Sequence, residues 1–279
     1  MSFITQLKVT GMSCALIAAS SLFTAQAHDH GDALQAAIDN PTRSAQNKAR
    51  DAYRNPYDTL NFFGLEPNMT VVEIWPGGGW YTEILAPYLA ADGKLYAAHF
   101  PANTDRQYYQ RSRTAFVERV ATDALFEQID VTEFSPSADA PIAPAGTADM
   151  VLTFRNLHNW YMQGDKDNLT NAFKAFYTAL KPGGIVGVVD HRLPESRPDE
   201  DAKTSGYMKV SWAIAAAEAA GFEYVGASEV NANPNDSADH PRGVWTLPPS
   251  LALGEENKEK YQAIGESDRF TLKFRKPQS

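Results

Sequence analysis

The stretch T-V-V-E-I-W-P-G-G-G-W-Y-T-E-I-L, from Thr70 to Leu85, decides the fold of this chain. It begins with a short apolar run that carries Glu73 near its end, breaks at Pro76 and continues through three consecutive glycines. Apolar residues then recur at helical spacing. The pattern predicts a strand, a glycine turn and a helix.

The glycine turn is typical of a ligand site. Gly77, Gly78 and Gly79 let a ligand approach the backbone closely, and the helix that follows offers unpaired N–H groups in its first turn. Glu73, at the end of the predicted strand, suits a ligand with hydroxyl groups or a positive charge. The turn therefore predicts a small-molecule cofactor, while a purely structural turn is the alternative that the same residues allow.

The first 27 residues have the features of a secretory signal peptide. Lys8 is their only charged residue, an apolar and small-residue run covers 14–23, and Ala25-Gln26-Ala27 is a small-x-small cleavage site. Cleavage there starts the mature chain at His28. We therefore expect an exported protein, periplasmic or secreted, with no stable membrane insertion after the signal is removed.

The composition limits the possible classes of function. The chain has 279 residues, a single cysteine and a net charge of −9. Because Cys14 lies in the predicted signal, the mature chain has neither disulfides nor cysteine chemistry. The acidic balance argues against nucleic acid as a partner, since nucleic-acid binding needs clustered Lys and Arg. A small-molecule substrate is expected, and the sequence leaves the oligomeric state open.

Strand and helix patterns alternate after the glycine turn. Further strands are predicted at 94–99, 125–130, 150–154, 185–190, 222–230 and 270–274. Helices are predicted at 80–89, 104–122, 168–180 and 208–220. Such alternation implies right-handed parallel crossovers and helices on both faces of one sheet.

The last two predicted strands have no helix pattern between them. Their long connection, 231–268, favours an antiparallel final strand and a functional flap. The predicted fold class is therefore α/β, a Rossmann-like open seven-stranded sheet with an antiparallel last strand. Residues 28–66 carry short helical patterns and are expected to form an N-terminal extension or lid on the main domain, 67–279.

With these elements in order, the chain resembles the class I S-adenosylmethionine-dependent methyltransferases. The motifs that carry this resemblance are V-V-E-I-W-P-G-G-G-W (71–80), F-R-N-L-H-N-W (154–160) and L-K-P-G-G (180–184). Two further motifs, R-D-A-Y-R-N-P (50–56) and G-E-S-D-R-F (265–270), resemble a family of exported predicted methyltransferases.

The resemblance implies a methyltransferase that binds S-adenosylmethionine across the carboxyl ends of the first strands. By position, Glu73 would face the methionine part of the cofactor or organise the loop. Gly77 and Gly79 would allow its close approach, and Gly78 lies between them. Asp130 would lie near the adenine.

Two positions depart from the superfamily pattern. Trp75 stands where the turn usually has a glycine, and His99 replaces the acidic residue that grips the ribose hydroxyls. An imidazole can still bind a hydroxyl through one donor and one acceptor. Trp75 is expected either to stack on the sulfonium cofactor or to fill the pocket.

Polar residues after the fourth and fifth predicted strands are the candidate catalytic groups. They are Asn156, His158, Asp190 and His191. His158 is the preferred general base, because related enzymes place acceptor-side groups after the fourth strand; a structural histidine is the alternative. Asp190 and His191 are expected to position the substrate or to latch the flap.

Two other classes of function use the same residues. His99, His158 and His191, with Glu73 or Asp190, would suit a zinc site for hydrolysis, although the sequence has no H-E-x-x-H motif. A cofactor-free binding protein on a methyltransferase-like fold is the third possibility, because a fold does not fix a function.

The cleavage site gives a direct test of the signal peptide. We expect protein recovered from outside the cytoplasm to begin at His28, because signal peptidase cuts after a small-x-small triplet. Mass spectrometry of the amino-terminal peptide measures this. A secreted chain that keeps Met1 would contradict the prediction.

Overall fold

A computed structural model describes residues 30–138 and 140–278 of the chain. The predicted signal peptide, residues 1–27, lies outside the described residues. Within those residues, no helix is both long enough and apolar enough to cross a bilayer.

The described residues form one seven-stranded sheet. Its strands are β1 Thr70–Ile74, β2 Lys94–His99, β3 Ile129–Glu133, β4 Ala148–Phe154, β5 Leu180–His191, β6 Glu223–Ser228 and β7 Arg269–Arg275. Their order across the sheet is β3-β2-β1-β4-β5-β7-β6. β7 runs antiparallel to both of its neighbours, and the other strands are parallel to one another. The predicted Rossmann-like class and the antiparallel last strand are confirmed.

Helices precede the sheet and connect its strands. They are α1 30–39, α2 Ala45–Lys48, α3 Asp51–Arg54, α4 Pro56–Phe63, α5 Thr82–Leu89, α6 Gln107–Thr122, α7 Leu157–Ala179, α8 Ala202–Ser205, α9 Val210–Ala219 and α10 Lys258–Ile264. Short 3-10 helices cover Ala124–Phe126, Asp199–Asp201 and Gly243–Thr246.

Both faces of the sheet are buried, which explains the continuous apolar runs of the central strands. Successive side chains of a strand point to opposite faces, so Val72 belongs to the core shared with α7 and α9. Its neighbour Val71 belongs to the core shared with α1, α4 and α5. The amino-terminal helices therefore contribute to the main core, with Leu34 of α1 and Phe63 of α4 fully buried in it.

The third strand begins later than predicted. Residues 124–126 form a 3-10 helix, because the Asp123 carboxylate accepts a hydrogen bond from the Leu125 N–H at 3.0 Å and caps this turn. β3 then runs to Glu133 instead of ending at Asp130. The 3-10 turn that Asp123 caps thus takes the place of the first half of the predicted strand.

The helix after β4 also differs from the prediction. It begins at Leu157 and is broken where Gly164 and Asp165 leave helical geometry, with φ +57° at Asp165. Only the part after the break has the long apolar stripe that predicts a helix at 168–180. Leu157, Trp160 and Tyr161 in the first part already lie at helical spacing, which is the signal that the prediction missed.

The long connection before β7 is an ordered flap, defined here as 231–268. The Asp236 carboxylate holds it together by accepting hydrogen bonds from the Tyr207 hydroxyl at 2.9 Å, His240 Nε2 at 2.8 Å and the Asp268 N–H at 2.8 Å. These bonds bring the two ends of the flap to the carboxyl end of the sheet.

Gly187 and Gly226 test the packing of the amino-terminal helices on the sheet. A Cβ at Gly187 in β5 would lie 2.6 Å from the Phe63 ring, whereas a Cβ at Gly226 in β6 meets no described atom within 4 Å. We expect Gly187→Ala to lower the free energy of unfolding by about 1–3 kcal/mol. The matched Gly226→Ala should change it by less than about 1 kcal/mol in denaturant titrations. Equal effects of the two variants would contradict this packing.

Candidate functional site

A cavity of about 490 Å³ opens at the carboxyl ends of β1, β2 and β4. β1 lies between β2 and β4, so the cavity is at the point where the strand order reverses, as expected for ligand sites in open α/β sheets. Its walls come from the turn after β1, the segments after β2 and β4, the amino-terminal helices and Trp245 of the flap. The volume is in the range of small-molecule sites.

The predicted glycine turn forms one wall of this cavity. Gly77 has φ +60° and Gly79 has φ +83°, values that favour glycine. A Cβ at Gly77 or Gly78 would meet nothing within 4 Å among the described residues, whereas one at Gly79 would contact Phe116 at 3.4 Å. Gly77 and Gly78 therefore expose the backbone to a ligand, and Gly79 closes the turn against the core.

Glu73 lies at the end of β1 and also lines the cavity. One of its carboxylate oxygens accepts a hydrogen bond from the Thr82 hydroxyl at 2.6 Å, and the residue is 2% exposed. Burial raises the pKa of Glu73 to about 7, against the weaker opposing effects of Thr82 and the charge of Arg155. A cationic ligand beside this carboxyl group would favour its ionised form.

Trp75 fills the space beside the turn. Its backbone has φ +45°, and its ring packs 4.6 Å from Phe100 and 5.6 Å from Trp160, centroid to centroid. The indole Nε1 donates a hydrogen bond to the Phe134 carbonyl at 2.9 Å. Of the two expectations for this side chain, the structure matches the one in which it fills the pocket.

His99 supports the turn from below. Its Nδ1 accepts a hydrogen bond from the Phe100 N–H at 2.7 Å, so the proton is assigned to Nε2, which donates to the Gly77 carbonyl at 3.2 Å. Burial lowers the pKa of His99 to about 4, and the ring is neutral. Both ring nitrogens therefore form hydrogen bonds within the protein. Neither is free to form the predicted contact with a ribose hydroxyl.

Asp130 lies far from the cavity. It pairs with Tyr96 in the sheet register, three positions before Glu133 at the carboxyl end of β3. Its half-exposed carboxylate forms an ion pair with Lys94 at 2.7 Å. The predicted third strand ended at Asp130, whereas β3 continues to Glu133, so Asp130 is not at the carboxyl end of the strand and does not line the cavity.

His158 and Asp190 form a buried pair at the opposite wall. The Asp190 carboxylate accepts hydrogen bonds from His158 Nδ1 at 2.8 Å and from the His158 backbone N–H at 3.0 Å. The proton is thereby assigned to Nδ1, which leaves Nε2 as the acceptor nitrogen of a ring that lines the cavity. This is the arrangement that a general base requires.

Asn156 and His191 flank this pair with different surroundings. Asn156 lines the cavity, and its amide nitrogen donates to the Ile74 carbonyl at 2.8 Å, which joins the ends of β4 and β1. His191 lies behind the pair, with Nδ1 2.5 Å from the Ser267 hydroxyl. Burial, then the charge of His158, lowers the pKa of His191. His191 is a neutral neighbour of the pair.

The histidines predicted for a zinc site are only partly brought together. His158, Asp190 and His191 have candidate ligand atoms within 4.8 Å of one another, while His99 is on the other side of the turn. Both Asp190 oxygens already accept protein hydrogen bonds, including one from the His191 N–H at 2.7 Å. A metal ion held between His158 Nδ1 and Asp190 would have to displace the proton that orients His158.

Three arginines that line the cavity were not predicted as site residues. Arg50 and Arg54 come from the amino-terminal motif, and Arg155 follows β4 directly. Arg155 has φ +62°, an uncommon value for a residue other than glycine. The available sequence signals are two arginines four positions apart in one short helical segment and one arginine directly after a strand.

No family model and no curated protein matches the sequence. Solved structures do match the fold. A SAM-dependent methyltransferase from Aquifex aeolicus is 16% identical over 88% of this chain and 97% of its own, with a TM-score of 0.52. A geranyl diphosphate methyltransferase in complex with SAM is 12% identical over 87% and 94%, with a TM-score of 0.53.

A third match is the cyclase SpnF, at 16% identity, coverage of 92% and 96%, and a TM-score of 0.52. The chain therefore has the Rossmann-like fold found in class I SAM-dependent methyltransferases. At these identities the likeness shows the fold, and the cyclase shows that proteins of this fold have more than one activity.

The raised pKa of Glu73 makes its stability contribution depend on pH. The folded state keeps a proton that the unfolded state loses between the usual pKa of 4.5 and about 7, so stability falls as pH rises through this window. We expect Glu73→Gln to raise the free energy of unfolding at pH 8 by about 1–3 kcal/mol and to change it little at pH 4.5. Glu118→Gln, on the exposed face of α6, should show no such pH dependence in denaturant titrations. A Glu73→Gln variant that is less stable at pH 8 would contradict the assignment.

Proposed function

We propose that this protein is an S-adenosylmethionine-dependent methyltransferase with a small-molecule acceptor. The observation that carries the proposal is that one cavity joins exposed glycine backbone and Glu73 on one side with His158, held by Asp190, on the other. When bound, S-adenosylmethionine supplies a methyl group activated by a sulfonium charge.

The residues around the turn fit such a cofactor. Gly77 and Gly78 offer open backbone at the start of a helix, where N–H groups favour close ligand contacts. Glu73 offers a carboxylate to a sulfonium or ammonium charge, with ionisation promoted by that charge. His99 holds the Gly77 carbonyl, so the turn is fixed before any ligand binds.

His158 acts on the acceptor. Its Nε2 is available to accept the proton of a hydroxyl or amine as that atom is methylated. Asp190 keeps the ring in one tautomer and stabilises the imidazolium that forms. Trp245 of the flap lies 6.5 Å from the His158 ring, centroid to centroid, and covers this side of the cavity.

A second candidate is a ligand-binding protein that performs no methyl transfer. The specific observation in its favour is that Trp75 and His99 are both committed to internal contacts, so the end of β2 provides no carboxylate for a ribose. In this case the cavity binds a small molecule that lacks the adenosyl group.

We propose in addition that the protein acts outside the cytoplasm, on the basis of the signal-like segment 1–27. A zwitterionic cofactor does not cross a bilayer unaided, because its charges would lose their hydration. An exported methyltransferase then needs either a transported supply of the cofactor or a cofactor that is carried through export in the bound state; otherwise the cavity binds another ligand.

Calorimetric titration separates the two candidates. We expect the chain from His28 onward to bind S-adenosylmethionine and S-adenosylhomocysteine, and Gly78→Val to weaken both at least tenfold, because its side chain enters the cavity. Gly226→Val, in an equally open position of β6, should bind as the parent does. The absence of heat with either compound at millimolar concentration would refute the methyltransferase.

Transfer of the methyl group is measured with labelled S-adenosylmethionine and a small-molecule extract. His158→Ala should keep cofactor binding and lose transfer by about 10²- to 10⁴-fold, the usual contribution of a general base. Cofactor binding with no transfer in any extract fraction would favour the binding protein.

A further inference from the structure

Four arginines gather beside the glycine turn. Arg50 and Arg54 come from the segment that forms α3, Arg155 follows β4, and Arg269 opens β7. Their charges are close enough to act on one another, since Arg269 and Arg50 both help to lower the pKa of Arg155 after the larger effect of burial. In an acidic protein, this is a strong local concentration of positive charge.

Glu266 neutralises only part of this charge. Its carboxylate accepts hydrogen bonds from Arg50 Nε at 2.6 Å and from Arg269 Nη2. Burial alone would raise the pKa of Glu266, but Arg50 and Arg269 lower it to about 2. The ionised carboxylate is thus committed to two of the four arginines.

Arg54 is left without a polar partner for most of its guanidinium. The residue is 3% exposed and lines the cavity, and its Nε and Nη1 have no hydrogen-bond partner in the described part of the chain. The guanidinium lies 4.5 Å from the centroid of the Trp80 ring, which holds it in place. Because arginine remains charged in proteins, burying its guanidinium without an anionic partner costs free energy. A bound anion would offset this cost.

Arg155 presents a second unpaired guanidinium to the same cavity. Within residues 30–138 and 140–278, its side chain forms neither an ion pair nor a hydrogen bond, and it lines the cavity. Burial and the neighbouring arginines lower its pKa to about 10, so the group is still charged at neutral pH. Its φ of +62° is the kind of backbone strain that occurs at ligand sites.

We propose that Arg54 and Arg155, with Arg50 beside them, bind an oxyanion group of the methyl acceptor, either a carboxylate or a phosphate. Guanidinium groups bind both through paired N–H donors. The inference rests on the proposed methyltransferase and names its substrate class: a small anionic molecule anchored by the arginines in the cavity that His158 lines.

The arginines fit the acceptor better than the cofactor. S-adenosylmethionine carries two positive charges against one carboxylate, so its net charge is repelled by an arginine cluster. Glu73 is the acidic group that suits those positive charges. An acceptor that carries an anionic group instead brings the compensation that Arg54 and Arg155 lack.

Thermal unfolding in different salts tests the anion site without any cofactor. At constant ionic strength, we expect sodium phosphate or sodium succinate to raise Tm by about 4 °C or more over sodium chloride. A larger Tm shift in phosphate indicates a phosphate site, and a larger shift in succinate indicates a carboxylate site. Arg54→Met and Arg155→Met should each lose this shift, while Arg275→Met, at the opposite and exposed end of β7, should keep it. No shift with either anion would overturn the proposal.

The same series in saturating S-adenosylhomocysteine identifies which ligand uses the arginines. A shift that persists supports an acceptor site, and a shift that disappears assigns the arginines to the cofactor carboxylate and overturns the proposal. If the anion shift is present but S-adenosylmethionine gives no heat, the methyltransferase fails and the anion site stands.

A purely structural role for Arg54 gives a different result. In chloride alone, we expect Arg54→Met to raise Tm, because it removes an uncompensated buried charge. A structural arginine would lower Tm when removed, which would contradict the anion site. Should Arg54→Met fail to fold, Arg155→Met decides the question through the phosphate and succinate shifts.

Discussion

The buried carboxylate of Asp190 determines the geometry of the site. It accepts hydrogen bonds from the ring and the backbone N–H of His158 and from the N–H of His191. Through these bonds the end of β5 fixes the first turn of α7, which starts three residues after β4 ends. The orientation of His158 therefore depends on the sheet itself, and a neutral residue in place of Asp190 would release both the ring and the helix start.

The central strands and the turn could be predicted because each has a local physical cause. Strands that are buried on both faces have apolar sequences. Consecutive glycines between a strand pattern and a helix pattern indicate a tight turn. The rule that parallel strands end at one edge of the sheet predicts that His158 and Asp190 lie close together, but not that they form a hydrogen bond. The start of β3 was missed because the Asp123 cap is a contact of one side chain, which hydrophobic patterning does not contain.

The surroundings of Trp75, His99 and the arginines depend on contacts between distant segments. The sequence shows that His99 has one donor and one acceptor nitrogen. It does not show that Nδ1 is bound to the Phe100 N–H and Nε2 to the Gly77 carbonyl. It shows that Arg54 is present, but not that Glu266, the carboxylate whose charge acts on Arg54, is already bound to Arg50 and Arg269. Charge compensation is a property of the folded chain.

The link between Arg50 and Glu266 joins positions 216 residues apart, and Arg269 contacts the Tyr53 carbonyl across the same separation. Contacts between these distant segments therefore hold Arg50, which lines the cavity, in place. A chain that emerges from the ribosome amino terminus first lacks both contacts until β7 has been made and has joined the sheet. The part of the cavity wall that Arg50 forms is therefore completed late in folding, after the last strand has taken its place in the sheet.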